Sequence, residues 1–434
     1  MSSKKQASAL IVEKGVRILR RSVRGLRAGI LASVCVALLC SCADGKSPEQ
    51  TDKKSEKSIS ETTDKLKETA EYKKGYDLPI EDAARAEAVA DCRAVMGQIR
   101  DIYEGTDKGS SENAEISDAA MLQMEEVIKA AGNPVITSEH YATLENYQQM
   151  EKFLEDSEQG KSGSILLYEI SRDGSITRKK FLYDGTDMFL LASRATWSDE
   201  GGVTISYVSC TRVKGWQYTE KGWFCYELCV PEPPEVTEVV DGNCMLRVRP
   251  REEKCIELSR KCLLSLGYRG NNLLCSNWNE ENMESLDYNG MYEYLYTMKN
   301  GSTFEPQNYP NGIPAEEFEG MIMNYLTVTA EQLREWAVFD EEHHTYVWMR
   351  LGCGNYSPTF FGTATPEVTG ITENKDGTVT LTVDAVCDMG EYGDAAMTHE
   401  LTVRFDGDGG FKYLGNKILE SGLEQIPDYQ YRVK

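Results

Sequence analysis

Between residues 164 and 230 the chain alternates apolar and polar side chains with a period of two in five successive runs, and this limits the fold more than any other stretch. The runs are SILLYEIS, ITRKKFLYD, MFLLASRATW, VTISYVSCTRV and GWFCYELCV. Between them stand Arg172-Asp173-Gly174, Asp184-Gly185-Thr186-Asp187, Asp199-Glu200-Gly201-Gly202 and Glu220-Lys221-Gly222. Short turns containing glycine reverse a chain directly, so an antiparallel meander is predicted. Trp197, Trp216 and Trp223 fall on it as core or sheet-face residues, with stacking on a glycan as the rarer alternative.

Three helices are predicted ahead of the meander. Over 80–103, Val89, Cys92, Met96, Ile99 and Tyr103 recur three or four apart and share a face, and Gly105 ends the run. A second helix, 118–131, stops at Gly132-Asn133-Pro134. A third is expected over 141–154, with Leu144, Tyr147, Met150 and Leu154 on its apolar side. These stripes form core and contain no ligand set.

Pro231-Glu232-Pro233-Pro234 interrupts the strand pattern. Prolines remove ladder donors, so this run is the expected boundary between two domains. Beyond it come a short strand at 244–248, a helix opened by Pro250 and reaching 266, and the tyrosine-rich stretch YNGMYEYLYTM at 288–298. Tyr292 and Tyr296 are four apart and share a helical face, with Tyr294 on another side. Residues 313–434 make a compact unit: a helix at 313–326, another after the capping residue Thr329, then strands at 345–351, 367–372, 378–386, 398–405 and 411–418. Its hairpin turns are Asn374-Lys375-Asp376-Gly377 and Asp406-Gly407-Asp408-Gly409-Gly410. Helices followed by a curved antiparallel sheet give an α+β layer fold. The element order of 313–434 resembles the cone-shaped domains of the nuclear transport factor 2-like superfamily, a likeness that implies a hollow on the sheet and no activity.

The N-terminus carries an address. Residues 28–39 (AGILASVCVALL) are uncharged and follow a segment with eight Lys or Arg against one Glu, a positive n-region before an apolar h-region. About 12 apolar residues are too few for a bilayer that needs roughly 20. A cleaved secretory signal is therefore expected. The run Leu39-Cys40-Ser41-Cys42 resembles the lipobox of bacterial lipoproteins, with Leu three residues before an obligatory Cys and small residues between. The resemblance implies that Cys42 is the lipidated residue, because Cys40 would be preceded by the bulky Leu38 and Leu39. A diacylglyceryl thioether there supplies the two chains that stable anchoring needs. Plain secretion and an uncleaved anchor are the alternatives. The chain as a whole resembles uncharacterised lipoproteins of Firmicutes, which implies a place on the outer face of a Gram-positive membrane and no molecular role.

Residues 42–76 are dense in Ser, Thr, Lys, Glu and Asp, poor in aromatics, and expected to be a disordered tether. Loss of residues 1–41 takes the formal net charge from −23 to −30. Such a surface repels nucleic acid, anionic wall polymers and anionic headgroups. Ten cysteines follow Cys42: Cys92, Cys210, Cys225, Cys229, Cys244, Cys255, Cys262, Cys275, Cys353 and Cys387. Seven fall between 210 and 275 without the C-x-x-C pairs of a zinc site. Buried thiols acting as small apolar residues are the favoured reading and disulfides the alternative. Cys255 and Cys262, seven apart, are expected on one helical face, and Cys225 and Cys229 on one strand face.

Motifs for catalysis are absent. The adjacent His343-His344 after Asp340, Glu341 and Glu342 reads as an exposed acidic turn rather than a metal cluster, and His399-Glu400 lacks the second His of a zinc protease motif. Asp406-Gly407-Asp408-Gly409-Gly410 lacks the third acid and distal Glu of an EF-hand. No G-x-S-x-G, P-loop or dinucleotide fingerprint occurs. A Cys nucleophile paired with His140 or His399 is not singled out by any motif. The expectation is an α+β protein: signal 1–41, tether 42–76, helices plus meander 77–232, and a second α+β domain 233–434. Its expected role is a non-catalytic binding or scaffold module at the envelope, with no catalytic, cofactor or metal residues, a protein or glycan as partner, and no nucleic acid. A surface hydrolase of wall peptide or glycan is the alternative. Paired carboxylates, at least one with a raised pKa, would favour the hydrolase, and a sheet hollow lined by aromatics would favour binding.

Overall fold

The five period-two runs become five strands. In the computed structural model, which describes residues 70–108, 115–198, 201–352, 364–387, 393–419, 426 and 429–433, they are β2 (Gly163–Ile170), β3 (Ile176–Tyr183), β4 (Met188–Trp197), β5 (Val203–Tyr218) and β6 (Trp223–Leu228). Each pairs antiparallel with the next. Two further strands extend the sheet. β1 (Val135–Thr137) adds in parallel to β2, and β7 (Asn243–Arg247) adds antiparallel to β6. The seven strands follow chain order across a curled sheet, and the fold is α+β.

Two compact units result, one up to Pro250 and one from Arg251. The boundary expected at residue 232 thus moves. The proline run sits in the connection between β6 and β7, and Leu228 N–H donates to Gly242 O across its base (2.8 Å), so the strand beyond the prolines belongs to the first sheet. The expected tether is shortened as well. Residues 70–74 form helix α1 (Ala70–Lys74), and the segment after it joins β5 through Arg212 N–H to Gly75 O (2.7 Å) and Leu78 N–H to Cys210 O (3.0 Å). The expected signal 1–41, the expected lipidation residue Cys42, the remaining residues up to 69 and Cys353 lie outside the described residues.

Helices cover both faces of the first sheet. On one face α2 (Asp82–Gly105) and α3 (Asp118–Ala130) bury Cys92, Met96, Ile99, Met121 and Met124 against Tyr168, Ile170 and Ile176. Ser117 caps α3 by accepting from Ala120 N–H. On the other face α4 (Gln148–Glu158) packs Met150, Phe153 and Leu154 on Leu167, Phe181, Leu190 and Phe224. This helix starts later than the predicted 141–154. Tyr141 and Asn146 hold left-handed φ values of 60° and 53°, which break a helix before it can propagate. Asn146 instead uses its amide to cap the carbonyls of Lys129 and Asn133.

The second unit has α5 (Glu253–Cys262), β8 (Trp278–Asn279), α6 (Tyr288–Asn300), β9 (Ile313–Pro314), α7 (Ala315–Tyr325), α8 (Ala330–Trp336), β10 (Phe339–Asp340), β11 (Thr345–Tyr346), β12 (Thr365–Glu373), β13 (Val379–Val386), β14 (Ala395–Phe405) and β15 (Phe411–Ile418). Its main sheet runs β12-β13-β14-β15-β8, antiparallel throughout, under one core shared with α5, α6 and α7. Cys255 and Cys262 both point into that core. Thr329 and Gln332 form a reciprocal capping box at α8. The strand predicted at 345–351 is only two residues long and pairs with β9 and β10 instead of the main sheet. Buried Asn289 explains the stop. Its side chain donates to the carbonyls of Val338 and Val347 and accepts from Val338 N–H, occupying backbone groups that a longer ladder would use.

Candidate functional site

The basic triplet Arg178-Lys179-Lys180 lies in the middle of β3, covered on both faces. Alternation sends Arg178 and Lys180 toward α2 and Lys179 to the opposite side. Arg178 is fully buried, donating to Asp91 (2.9 Å) and Glu87 (3.1 Å) of α2, and Lys180 shares Glu87 at 2.6 Å. That side is a polar seam holding a helix to a sheet. The other side is different.

Lys179 Nζ lies 2.6 Å from Glu169 Oε2 on the neighbouring strand β2. Glu169 faces Thr177 in register, and Thr177 faces Arg194, which faces Tyr207, so these side chains lie on one surface of the curl. The sheet bends far enough for β6 to meet β3, although β4 and β5 separate them. Phe181 stands edge-on to Phe224 and Tyr226 with centroids 5.3 and 5.4 Å apart, and Tyr183 meets Trp216 at 6.3 Å. Tyr226 faces Cys244 of β7 in register, and both bear electrostatically on Lys179. The apolar plug from α4 fills one part of this concavity, and the Lys179–Glu169 pair lies in the polar part.

Protein closes densely around the pair, yet Lys179 keeps 24% of its side chain in contact with solvent and Glu169 keeps 29%. Such groups line the floor of a recess. The Lys179 ammonium holds the Glu169 carboxyl below the usual range against the opposing effect of burial. Burial disfavours the Lys179 charge, but the Glu169 carboxylate outweighs it, so its pKa rises. Both groups are therefore charged at neutral pH. Burial pushes the Tyr226 and Tyr207 hydroxyls up, which keeps them neutral donors. The chemistry offered is the Lys179–Glu169 pair, with Arg194 on the same surface, two neutral phenols and the Cys244 thiol. That set can orient a polar ligand.

The residues singled out for chemistry fall elsewhere. His343 and His344 sit in an exposed turn between β10 and β11, with His343 Nδ1 2.8 Å from Asp340 Oδ2 and His344 at a left-handed φ of 52°. Among the described residues no group of three or more His, Cys, Asp or Glu is placed to hold a metal. His140 is exposed. His399 is buried in β14. Asn416 donates its amide to Leu274 O and Ser276 O, so its carbonyl accepts from His399 Nδ1 (2.6 Å), and His399 Nε2 accepts from Tyr268 Oη (2.9 Å). Burial lowers the His399 pKa to about 4 and keeps the ring neutral. Both ring nitrogens are engaged by groups other than a thiol. Cys92, Cys229, Cys255, Cys262 and Cys275 are free, and burial pushes their thiols up, to about 12 at Cys262 and Cys275. These thiols are inert at neutral pH.

One carboxyl is shifted as an acid catalyst's would be. Burial first, then Glu145 and Glu126, raises Glu125 of α3 to about 7. Its acidic neighbours are both held by Lys129, at 2.9 Å from Glu145 and 3.1 Å from Glu126. Trp197 stacks on Tyr103 with centroids 4.5 Å apart and donates to Gly174 O (3.0 Å), a sheet-face role. In α6, Tyr292 is buried on Phe318, while Tyr294 lies beside Arg432, as the helical spacing requires.

The hollow was missed at the sequence level, although a signal exists. Three consecutive basic residues inside a strand with both faces covered force at least one charge inward, wherever its partner comes from. No curated protein and no solved structure matches the chain. A family model does match, over residues 85–432, from within α2 through both units to Arg432. The chain belongs to that family, described as a family of unknown function (DUF6070).

Proposed function

We propose that this protein is a lipid-anchored, non-catalytic binding module at the outer face of a Gram-positive cell membrane, held through Cys42, and that the curled sheet of its first unit receives a small zwitterionic ligand. The Lys179–Glu169 pair carries the reading. A buried ion pair is costly to break unless new partners replace the old ones. A ligand with one carboxylate and one ammonium can insert into such a pair and leave neither charge uncompensated. Tyr226 and Tyr207 add neutral donors beside it. The lipobox-like Leu39-Cys40-Ser41-Cys42 supports the anchor. Two helices followed by antiparallel strands in 313–434 support the likeness to nuclear transport factor 2-like domains, which carries no activity.

Thermal unfolding with free amino acids and dipeptides, against uncharged sugars, tests the ligand. At least one zwitterion is expected to raise the melting temperature of the wild type and not that of a Lys179→Met, Glu169→Leu double variant. If no zwitterion binds, or the double variant responds equally, the hollow is not the site. For the anchor, Cys42→Ser is expected to abolish incorporation of labelled palmitate, and labelling that persists would reassign the acceptor.

A further inference from the structure

In the second unit, residues 429–433 belong to no helix or strand and dock by their side chains. Tyr429 Oη donates to Asp287 Oδ2 at 2.6 Å, and Tyr431 Oη to Ser285 O at 2.6 Å. Arg432 between them is the anchor, with 1% of its side chain exposed. Its guanidinium donates to Met349 O (3.2 Å), Gly270 O (3.1 Å) and Gly290 O (3.3 Å), and pairs with Glu293 at 2.8 Å.

The wall around this guanidinium is shaped for it. A Cβ on Gly270 would lie 2.7 Å from Arg432 Nη2 and 2.5 Å from Tyr294 Oη, and a Cβ on Gly290 would lie 2.5 Å from Gly270 O. Glycine at both positions lets two backbone carbonyls approach a side chain closely. Three carbonyls converging with a carboxylate match a planar, five-donor fork and do not match a point-charge ammonium. Asp287, 3% exposed, adds a second buried anion while its Oδ1 caps α6 at Gly290 N–H (2.8 Å). Among the described residues, these partners all come from residues 270–349. Its occupant arrives on a segment that contributes no backbone ladder to the sheet or helices.

We propose that this pocket is an exchangeable recognition site for an extended peptide carrying Tyr-x-Tyr-Arg, with residues 429–433 as its resident ligand. The same contacts serve a segment delivered by another polypeptide. The resident segment competes at the high effective concentration that tethering gives, so a free peptide binds the wild type weakly and binds well only when the resident arginine is removed.

The test uses the full chain with Arg432→Ala and a fluorescent peptide of sequence YQYRV, with YQYKV as control. The variant is expected to bind YQYRV at least about tenfold tighter than YQYKV and tighter than the wild type binds it. A folded variant that binds neither peptide, or both equally, overturns the proposal. Should the variant not fold, hydrogen exchange in the wild type decides. Residues 429–433 opening well before α6 supports exchange, and opening only together with α6 overturns it.

Discussion

Phe181 and Tyr226 stand edge to face with ring centroids 5.4 Å apart, across a gap that two intervening strands would keep open in a flat sheet. The contact records how strongly the meander curls. It also separates an apolar plug around Phe181 from the polar recess at Lys179, one position away on the same strand face.

Removing one member of the recess pair is expected to cost more than removing both. Lys179→Met should destabilise the first unit by about 2 kcal/mol, because Glu169 then remains charged and enclosed, and a quarter-exposed site discounts the larger values seen for dry pairs. The Lys179→Met, Glu169→Leu double variant should return to within about 1 kcal/mol of wild type. Urea titrations on both variants measure the difference.

On the opposite face Arg178 is fully buried between Glu87 and Asp91. Arg178→Met should cost about 3 kcal/mol by leaving two carboxylates facing an apolar side chain. Hydrogen exchange should show α2 losing protection first, since the seam joins that helix to β3.

The two units are expected to respond to acid in opposite directions. His399, in the second, has a folded pKa of about 4 against an ordinary value near 6.5, so its contribution is present above pH 6.5 and lost as pH falls toward 4. Glu125, in the first, is raised to about 7, so its contribution is present below about 4.5 and lost as pH rises through 7. Between pH 4.5 and 6.5 hydrogen exchange resolved by unit should show the second gaining and the first losing stability as pH rises. His399→Gln and Glu125→Gln should each flatten one trend only. An unchanged slope in either variant would assign the dependence to other groups.

Gly75 has a φ of 78°, and a Cβ there would sit 2.5 Å from Cys229 Sγ. Gly75→Ala is expected to cost about 2 kcal/mol, from left-handed strain plus the clash. A protease cutting near residue 75 should then act faster on the variant, because the link from Gly75 and Leu78 to β5 is what holds this segment down.

Local chemistry made much of this fold legible. Glycine-bearing turns and strict alternation placed β2 to β6 within a residue or two over most of their ends, and Thr329 marked the start of α8. The third helix was misplaced because nothing local announces that Tyr141 and Asn146 adopt left-handed backbone. β1 is three residues long and exists because β2 offers it a parallel edge. The tyrosine partners of Lys179 were illegible for a related reason. Tyr226 reaches it only through the curl, a property of the whole sheet rather than of any window of sequence. The pocket around Arg432 draws on residues 270, 290, 293 and 349, which no periodicity links.

One of the two-residue strands of the second unit has a consequence for assembly. β8 is two residues long, with Trp278 buried, and it pairs with Gly415 and Asn416 of β15, the last strand among the described residues. The border of that sheet is therefore written early and fitted late. During synthesis the apolar sides of α5, α6 and α7 wait bare until β15 emerges, so the interval before that closure is when this half of the molecule is most exposed to mispairing and most dependent on being shielded.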